Sequence, residues 1–529
     1  MQLTMGSARG KRQISGLVMG LVVLGLIWEL AGWIIAGQDQ MLILFGLGLV
    51  VVALAVYILN DWRTGVLLFL IWLLFEDLAR KYLGNSMTVF FAKDLLIGIA
   101  YLSFYAAKRK HQVEVFKIPF LLPLAIFFWF AVVQVFNPES ASVLYGVLGM
   151  KMYFYYAPLM LLGYAMMDSP RALERFLVIN VAAGIVIAGL GIAQAVLGIQ
   201  FLTPENIAPE LYGLTHVTRY SPVTNQAAAV ASSVFVSAGR FSWYLILLWI
   251  LTMGAQGYLL LSRRPGAKYG FLGIGVVTVA VMLTGTRTPF VFVLASALMM
   301  TAAFLWGAPW RWGQGQRMVK ALRRALIVGA IGLILMGTIF PTVLGSNWAY
   351  ISETLSPGGQ GSELANRGWD YPILNLELAF QHEHWVEGYG TGMNSLGMQY
   401  VARILNEPMP TIGVENGYGS LLVEFGIVGL ILWIIWVTAL LLSAWRVVKQ
   451  LRQTVYFPIA FAIWWYAFVL LVLLLFLGIS PYQNFVNNAY LWLLIGVLYR
   501  LPKLAQMPQL VPMPKHARGM ARWQLATGG

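Results

Sequence analysis

The feature that most constrains the fold of this chain is the recurrence of apolar runs of about twenty residues, the length that an α-helix needs to cross a bilayer. Hydrophobic residues make up 59% of the 529 residues and charged residues only 11%, against about 25% in soluble domains. Because a bilayer core offers the backbone no hydrogen-bond partners, such runs form helices. The sequence therefore predicts an all-α polytopic membrane protein with about fourteen transmembrane helices.

The distribution of basic residues between the apolar runs predicts the orientation of the chain. Most of the 35 Lys and Arg residues fall into alternate short segments, among them 108–117, 311–324 and 446–452. Placing these segments in the cytosol puts both termini inside and two long segments, 199–240 and 345–413, outside. The net charge of +14 then belongs mainly to the inner surface. It favours anionic lipids of the bilayer and does not indicate a nucleic-acid partner.

This topology divides the chain into four parts. Residues 1–344 carry helices one to eleven with the outer loop, 345–413 form a large extracytoplasmic loop between the eleventh and twelfth helices, 414–500 carry helices twelve to fourteen, and 501–529 form a basic cytosolic tail. The chain has no cysteine, which excludes disulfides, thiolate metal sites and a cysteine nucleophile. We expect a multi-pass protein of the cytoplasmic (inner) membrane with its site on the extracytoplasmic face.

Three arginines and one carboxylate from separate segments fall on this outer face: Arg240, Arg287, Arg367 and Glu415. Taken singly, each has a structural explanation as an interfacial anchor, a polar turn, a solvated salt bridge and a helix N-terminal carboxylate. Together they predict an anion site, because guanidinium binds phosphate through paired hydrogen bonds and stays charged in any environment. A carboxylate beside such a site would be available as a base.

Other polar groups leave alternatives open. His382 and His384 form a His-x-His pair, but no further ligands at metal-binding spacing accompany them, so neither a metal nor another cofactor is predicted. Glu76 and Asp77 are followed by two basic residues. They form either a salt-bridged helix end or, less commonly, a divalent-cation site. The glycine-rich segment 388–392 is too short for a nucleotide-binding loop and predicts a tight turn.

In chain order, several short motifs resemble those of the O-antigen ligase and Wzy-type O-antigen and exopolysaccharide polymerase family. The resemblance extends from about residue 240 to residue 446, a little under half of the chain. Order, spacing and a shared side of the membrane carry it, since each motif is short. The motifs are Gly239-Arg240-Phe241, Thr284-Gly285-Thr286-Arg287, Arg367 with Trp369, Glu387-Gly388-Tyr389-Gly390-Thr391-Gly392, Glu415-Asn416-Gly417-Tyr418 and Glu424-Phe425-Gly426.

The resemblance implies a metal-independent membrane glycosyltransferase. Such enzymes take a glycan from undecaprenyl diphosphate outside the inner membrane and pass it to a hydroxyl of a glycan or lipid-linked acceptor, alongside other polysaccharide assembly proteins. Ligases of the family usually carry His where this chain has Glu415. That difference favours a polymerase of exopolysaccharide or O-antigen repeats over a ligase.

This chemistry assigns a role to each polar residue of the outer face. The three arginines would bind the diphosphate and stabilise charge as it leaves, while Glu415 would accept the proton of the attacking hydroxyl. His384 is the next candidate for the base. The remaining predicted substrate-binding residues are Asn416, Tyr418 and Trp369.

The alternative function is transport, as in a flippase for lipid-linked oligosaccharides. Transporters that work by alternating access usually show repeated halves and polar groups through the bilayer midplane. This sequence shows no repeated halves, and its polar cluster lies on one face. The pattern therefore favours an enzyme.

The topology can be tested by cysteine scanning, because the chain has no native thiol. We expect a membrane-impermeant thiol reagent to label Gln360→Cys from outside intact cells, and Gln316→Cys only after the membrane is opened. Labelling of Gln316→Cys from outside would refute the predicted orientation.

Overall fold

The computed structural model describes most of the chain, and the great majority of the described residues are helical. Within this part the only strands are two of two residues each, which confirms the predicted all-α class. The first predicted span near Ser15 and most of the basic tail lie outside the described residues, as does Gln360. The described residues are 39–507 with gaps at 222, 229, 263–269, 310–311, 357–365 and 411.

The helices are numbered in chain order. They are α1 (Asp39–Asn60), α2 (Trp62–Tyr82), α3 (Met87–Arg109), α4 (Leu121–Gln134), α5 (Val143–Phe154), α6 (Leu159–Met166), α7 (Pro170–Leu197), α8 (Pro209–Thr215), α9 (Ala238–Leu261), α10 (Gly270–Met282), α11 (Arg287–Gly307), α12 (Trp312–Ile339), α13 (Pro341–Leu355), α14 (Tyr371–Gln381), α15 (Met398–Leu405), α16 (Gly417–Gln450), α17 (Phe457–Phe468), α18 (Leu474–Leu477), α19 (Ser480–Gln483) and α20 (Phe485–Gln506). The antiparallel strands are β1 (Arg219–Tyr220) and β2 (Ala227–Ala228). Two π-helical turns are π1 (Asn366–Asp370) and π2 (Val469–Leu473).

Six described helices are long and apolar enough to cross a membrane, so the protein is polytopic. They are α3, α7, α9, α11, α16 and the continuous stretch Phe457–Leu477. A bent pair, Gly329–Ile339 with Pro341–Leu355, meets at 117° and would make a seventh if it forms one span. The predicted number of about fourteen is higher, partly because apolar runs of that prediction fold as shorter helices. Of these, α4 has 14 residues and α10 has 13.

The structure forms two compact units. The smaller contains the described residues up to Phe69 together with Asp94–Arg109, and the larger contains Leu70–Lys93 and the chain from Lys110 onward. In the smaller unit, Trp62 packs edge-on against Phe104, with ring centroids 5.0 Å apart. Every residue assigned to the predicted site belongs to the larger unit.

Helix α9 is the centre of the larger unit. Of its most apolar stretch, 94% is enclosed by protein, and it packs against α7, α10, α11 and α17. Its contact with α17 is close and depends on Gly254, where an added Cβ would lie only 2.4 Å from the Ala462 Cβ. Ser237 caps the helix by accepting a hydrogen bond from the Arg240 backbone. The cap fixes the helix start that carries Arg240.

Helix α16 is broken at Gly426, where φ is +67° and the backbone leaves the helical conformation. Residues 386–390 of the predicted outer loop fill the break. Tyr389 donates its backbone N–H to the Val423 carbonyl at 2.8 Å, and Ile427 donates to the Val386 carbonyl at 3.1 Å. Part of the predicted loop therefore enters the helical bundle. It satisfies backbone groups that a broken helix leaves without partners.

The glycines of this segment are required by its conformation and its close contacts, so the segment is more than the predicted tight turn. Gly388, Gly390 and Gly392 have φ values of +81°, +101° and +86°. A Cβ at Gly388 would lie 2.6 Å from the Glu424 carbonyl oxygen, and one at Gly392 only 2.1 Å from the Tyr145 carbonyl oxygen. Both neighbours are backbone atoms, which cannot give way as a flexible side chain would.

We expect Gly392→Ala to destabilise the protein by roughly 1–3 kcal/mol or more, the scale of backbone strain and overpacking. Gly345→Ala is the matched control, because no atom lies within 4 Å of the added Cβ and α13 is helical there. That change should be neutral or slightly stabilising. Thermal unfolding of the purified protein in detergent measures both effects, and equal unfolding temperatures would contradict the inserted segment.

Candidate functional site

Arg240, in the first turn of α9, is oriented by Asp77 of α2. Its Nη1 lies 2.8 Å and 3.0 Å from the two Asp77 carboxylate oxygens. Asp77 is buried and also accepts hydrogen bonds from Arg80 at 3.1 Å and from the Val236 backbone at 3.2 Å. Glu76 beside it pairs with Lys93 at 2.9 Å. The two acidic residues thus form a salt-bridged helix end, the first of the two predicted alternatives.

Arg287 begins α11, and its guanidinium carbon lies 5.4 Å from the ring centroid of Tyr350. Arg219 of β1 reaches the same tyrosine, with Nη1 3.4 Å from the Tyr350 hydroxyl. Tyr350 therefore contacts two guanidinium groups from distant segments. Arg219 was not among the predicted site residues. Its only signal was a basic residue in the predicted outer segment 199–240, where the positive-inside pattern leaves few.

The turn between the strands is fastened to α13, which positions Arg219. Glu353 accepts hydrogen bonds from the backbone N–H groups of Val223 at 2.9 Å and Thr224 at 3.1 Å, and from the Thr224 hydroxyl at 2.8 Å. One carboxylate thereby satisfies three donors of the turn. The strand that carries Arg219 is held beside the helix that carries Tyr350.

The helix starts that carry Arg240 and Arg287 lie side by side. Ser242 in α9 and Thr286, the residue before α11, have hydroxyl oxygens 2.5 Å apart. A second hydroxyl, that of Thr284, lies 2.7 Å from Thr286. Two helix N-termini with their positive dipole ends are therefore close together, an arrangement that attracts anions.

Glu415 lies two residues before α16, next to the N-cap residue Asn416, and is exposed. Its backbone N–H donates to Asn375 Oδ1 of α14 at 3.0 Å. Within the described part of the chain, no hydrogen bond or ion pair engages its carboxylate. The side chain therefore faces solvent from a fixed backbone, which meets one requirement for a base that accepts a substrate proton.

Asn416 is buried and caps α16. Its Oδ1 accepts from the Gly419 backbone at 2.9 Å, and its Nδ2 donates to the carbonyls of Pro372 at 3.0 Å and Phe476 at 2.8 Å. These contacts join three segments and fix the backbone beside Glu415. Sugar binding by Asn416 stays a prediction, because the structural contacts already use its amide group on both sides.

The predicted aromatic residues lie near this helix start. Trp369 in π1 is 64% exposed and packs against Phe476, with ring centroids 5.9 Å apart. Its open face is suited to stacking on a sugar ring. Tyr418 is half-buried and donates from its hydroxyl to the Val472 carbonyl at 3.3 Å. Arg367 belongs to the same π-helical turn as Trp369, and its side chain lies outside what the structure describes.

His384 lies just before the inserted glycine segment in the chain. Its Nδ1 lies 2.7 Å from a Glu387 carboxylate oxygen and its Nε2 lies 3.4 Å from Glu139. The hydrogen bond to Glu387 raises the pKa of His384 above its ordinary value. A carboxylate on a ring nitrogen fixes the orientation of the imidazole. The role of His384 as the second candidate for the base stays a prediction.

Glu424 is a further polar residue of the site region, and the sequence analysis gave it no role. It is fully buried in α16, two residues before the break, and accepts hydrogen bonds from the backbones of Gly392 at 3.0 Å and Asn394 at 3.1 Å. Its signal was a carboxylate inside an apolar run, which marks a group with a specific partner. Asn394 in turn donates to the carbonyl of Val414, beside Glu415, at 2.8 Å.

An apolar cavity of about 520 Å³ lies between α16 and the stretch formed by α17 and π2. Tyr418, in the first turn of α16, is one of its few polar lining residues. The cavity therefore begins near the helix start that carries Glu415. The lining residues are Tyr418, Trp433, Ile434, Val437, Thr438, Leu441, Leu442, Trp445, Trp464, Phe468, Leu471 and Val472.

The fold defines a polytopic α-helical membrane protein in which Arg240, Arg287 and Glu415 lie at or next to helix starts. The family model described as O-antigen ligase (Wzy_C) matches residues 271–434, from α10 into α16. This match confirms the resemblance of the chain to the O-antigen ligase family. Arg287, Arg367 and Glu415 lie inside the matched segment, and Arg240 precedes it. No curated protein and no solved structure matches the chain.

We expect Glu387→Gln to lower the pKa of His384 toward its ordinary value. A raised pKa in the fold gives stabilisation that is complete below the unfolded value, about 6.5, and is lost as pH rises through the folded value. The unfolding temperature should therefore fall more steeply above about pH 6.5 in the wild type than in Glu387→Gln. Proton NMR titration of the ring gives the pKa directly. Glu383→Gln is the control and should shift the pKa of His384 less than Glu387→Gln does. An equally large shift in Glu383→Gln would contradict the assignment to the Glu387 hydrogen bond.

Proposed function

We propose that the protein is an inverting membrane glycosyltransferase that polymerises oligosaccharide repeats carried on undecaprenyl diphosphate, at the extracytoplasmic face of the cytoplasmic membrane. The observation that carries this proposal is the exposed carboxylate of Glu415, fixed at the start of α16 inside the O-antigen ligase match. The arginine-bearing helix starts supply the complementary positive charge.

Residues 394–400 connect the base to the arginines. At one end, Asn394 holds the Val414 carbonyl beside Glu415. At the other, the Tyr400 hydroxyl accepts a hydrogen bond from Arg80 at 3.3 Å, and Arg80 shares Asp77 with Arg240. A short, hydrogen-bonded stretch thus runs between the two groups, which supports a single site.

The reaction needs a base and an anion site but no metal. The acceptor hydroxyl oxygen forms a bond to the anomeric carbon of the donor as the bond from that carbon to the diphosphate oxygen breaks. Glu415 takes the hydroxyl proton, and undecaprenyl diphosphate leaves with the bonding electrons. Arg240, Arg287 and Arg367 stabilise the negative charge on the leaving group. Attack from the face opposite the diphosphate inverts the anomeric centre.

The apolar cavity supports a substrate carried by a lipid. Its walls come from α16 and α17, and Tyr418 lies in the helical turn next to Glu415. A polyprenyl chain entering between these helices would bring its diphosphate to the level of the helix start. Glutamate at 415, where ligases of the family usually have histidine, favours chain polymerisation over ligation.

The test is chain extension by the purified protein from purified lipid-linked repeat units. Glu415→Gln keeps the shape and removes the base, so we expect extension to fall about 10²–10⁴-fold, the usual worth of general acid–base catalysis. Glu407→Gln is the matched control, because it removes another exposed carboxylate close in sequence. It should retain full activity. Normal extension by Glu415→Gln would exclude Glu415 as the base.

A further inference from the structure

The apolar cavity between α16 and α17 follows α16 toward the end that the predicted topology places at the cytosol. On the part of α16 beyond the break, the lining side chains recur every three or four residues, so one helix face forms the wall. From Trp433 to Trp445 this wall rises about 18 Å, close to the hydrocarbon thickness of one leaflet, about 15 Å. The side chains of this wall are Trp433, Ile434, Val437, Thr438, Leu441, Leu442 and Trp445.

Three tryptophans pack together at this end of the cavity. Trp445 of α16 and Trp464 of α17 have ring centroids 4.7 Å apart, and Trp306 of α11 stacks on Trp445 at 5.9 Å with an interplanar angle of 10°. The Trp464 indole N–H donates to the Leu441 carbonyl at 3.1 Å, and Trp306 is 43% exposed. Tryptophan is enriched where the hydrocarbon meets the lipid headgroups. The three rings therefore mark the level at which a lipid bound in the cavity would place its headgroup.

Three basic side chains follow the tryptophans at the same end. Arg446 and Lys449 lie in the last turns of α16 and Arg452 lies just after it, and all three are exposed. Lys449 comes four residues after Trp445, so it continues the helix face that lines the cavity, and its Nζ lies 6.0 Å from the Trp445 ring centroid. Within the part of the chain that the structure describes, no ion pair engages any of the three. Their positive charge is therefore available to an anion from outside the protein.

Helix α11 fixes the position of Arg452. The guanidinium carbon of Arg452 lies 4.5 Å from the ring centroid of Trp306, a contact in which the ring attracts the cation. The next residue, Gln453, donates its backbone N–H to the Gly307 carbonyl at 2.8 Å. The segment that carries Arg452 is thereby joined to the end of α11, and its charge is held beside the tryptophans.

We propose that this end of the cavity binds an anionic glycerophospholipid of the cytoplasmic leaflet, with its phosphate at Lys449 and Arg452 and an acyl chain along the wall of α16. Basic pockets between membrane helices on the cytoplasmic side bind anionic headgroups. A free phosphate would gain nothing from the apolar wall, and a zwitterionic lipid would bring its own cation to the basic residues. The assignment does not rest on the proposed glycosyl transfer, because Glu415 and Tyr418 belong to the other end of α16.

The test is thermal unfolding of the full chain in detergent, titrated with dioleoyl phosphatidylglycerol or dioleoyl phosphatidylcholine. The two lipids share their acyl chains and differ in net charge. We expect phosphatidylglycerol to raise the unfolding temperature of the wild type at a lower concentration than phosphatidylcholine does. Combining Lys449→Gln with Arg452→Gln should raise the half-saturating concentration of phosphatidylglycerol about tenfold or more and leave that of phosphatidylcholine within about twofold.

Lys108→Gln combined with Arg109→Gln is the charge-matched control, because these residues end α3 and do not line the cavity. It should bind both lipids as the wild type does. Thr438→Trp fills the cavity from an exposed position without changing the charge, so it should weaken the binding of both lipids. Unfolding temperatures without lipid check the fold of each variant.

Three results would overturn the proposal: equal binding of the two lipids by the wild type, an equal loss of phosphatidylglycerol binding in the control, or unchanged binding by Thr438→Trp. Displacement of phosphatidylglycerol by an equal concentration of undecaprenyl phosphate would also overturn it, because this end of the cavity would then belong to a polyprenyl chain.

Discussion

The insertion of the glycine segment into the broken helix α16 is the contact on which the rest of the site depends. A break at Gly426 exposes backbone groups in a segment apolar enough to span a bilayer, where groups without partners cost several kcal/mol each. Residues 386–390 form backbone hydrogen bonds with the residues around the break. The Glu424 carboxylate accepts further hydrogen bonds from the backbone N–H groups of Gly392 and Asn394. The glycines are required because any side chain would collide with backbone.

This contact fixes residues on both sides of the inserted segment. Toward α16, Asn394 donates a hydrogen bond to the Val414 carbonyl beside Glu415. The buried Glu424 carboxylate accepts from the Asn394 backbone and so helps to fix the proposed base. Toward α15, the chain continues to Tyr400, which stacks on Phe90 and accepts from Arg80. The backbone beside Glu415 and the Arg80–Asp77–Arg240 group are thus both hydrogen-bonded to residues 394–400. Such fixation matters because catalytic groups lose much of their effect when they are misplaced by about 1 Å.

Apolar periodicity was enough to predict an all-α membrane protein, because it depends on residues close in sequence. The contacts of the site residues could not be predicted in the same way. Asp77 lies 163 residues from Arg240, and nothing local to either residue encodes their contact. The tight turn predicted for 388–392 proved to be an inserted segment for the same reason, since its neighbours are backbone atoms of other helices. Likewise, the Asn416 amide donates to carbonyls of Pro372 and Phe476, 44 and 60 residues away, which nothing local to Asn416 encodes.

The structure separates two uses of carboxylates that would conflict at one position. Glu76 and Asp77 are buried and already paired with Lys93, Arg80 and Arg240, so neither is placed to take a substrate proton. Glu415 is exposed, and its carboxylate has no partner within the described residues. Counter-charges that hold arginines in place are thereby kept apart from the group proposed to take a proton. In the proposed reaction the leaving group approaches the arginines while the acceptor hydroxyl meets Glu415, so no single carboxylate must both hold an arginine and take the proton.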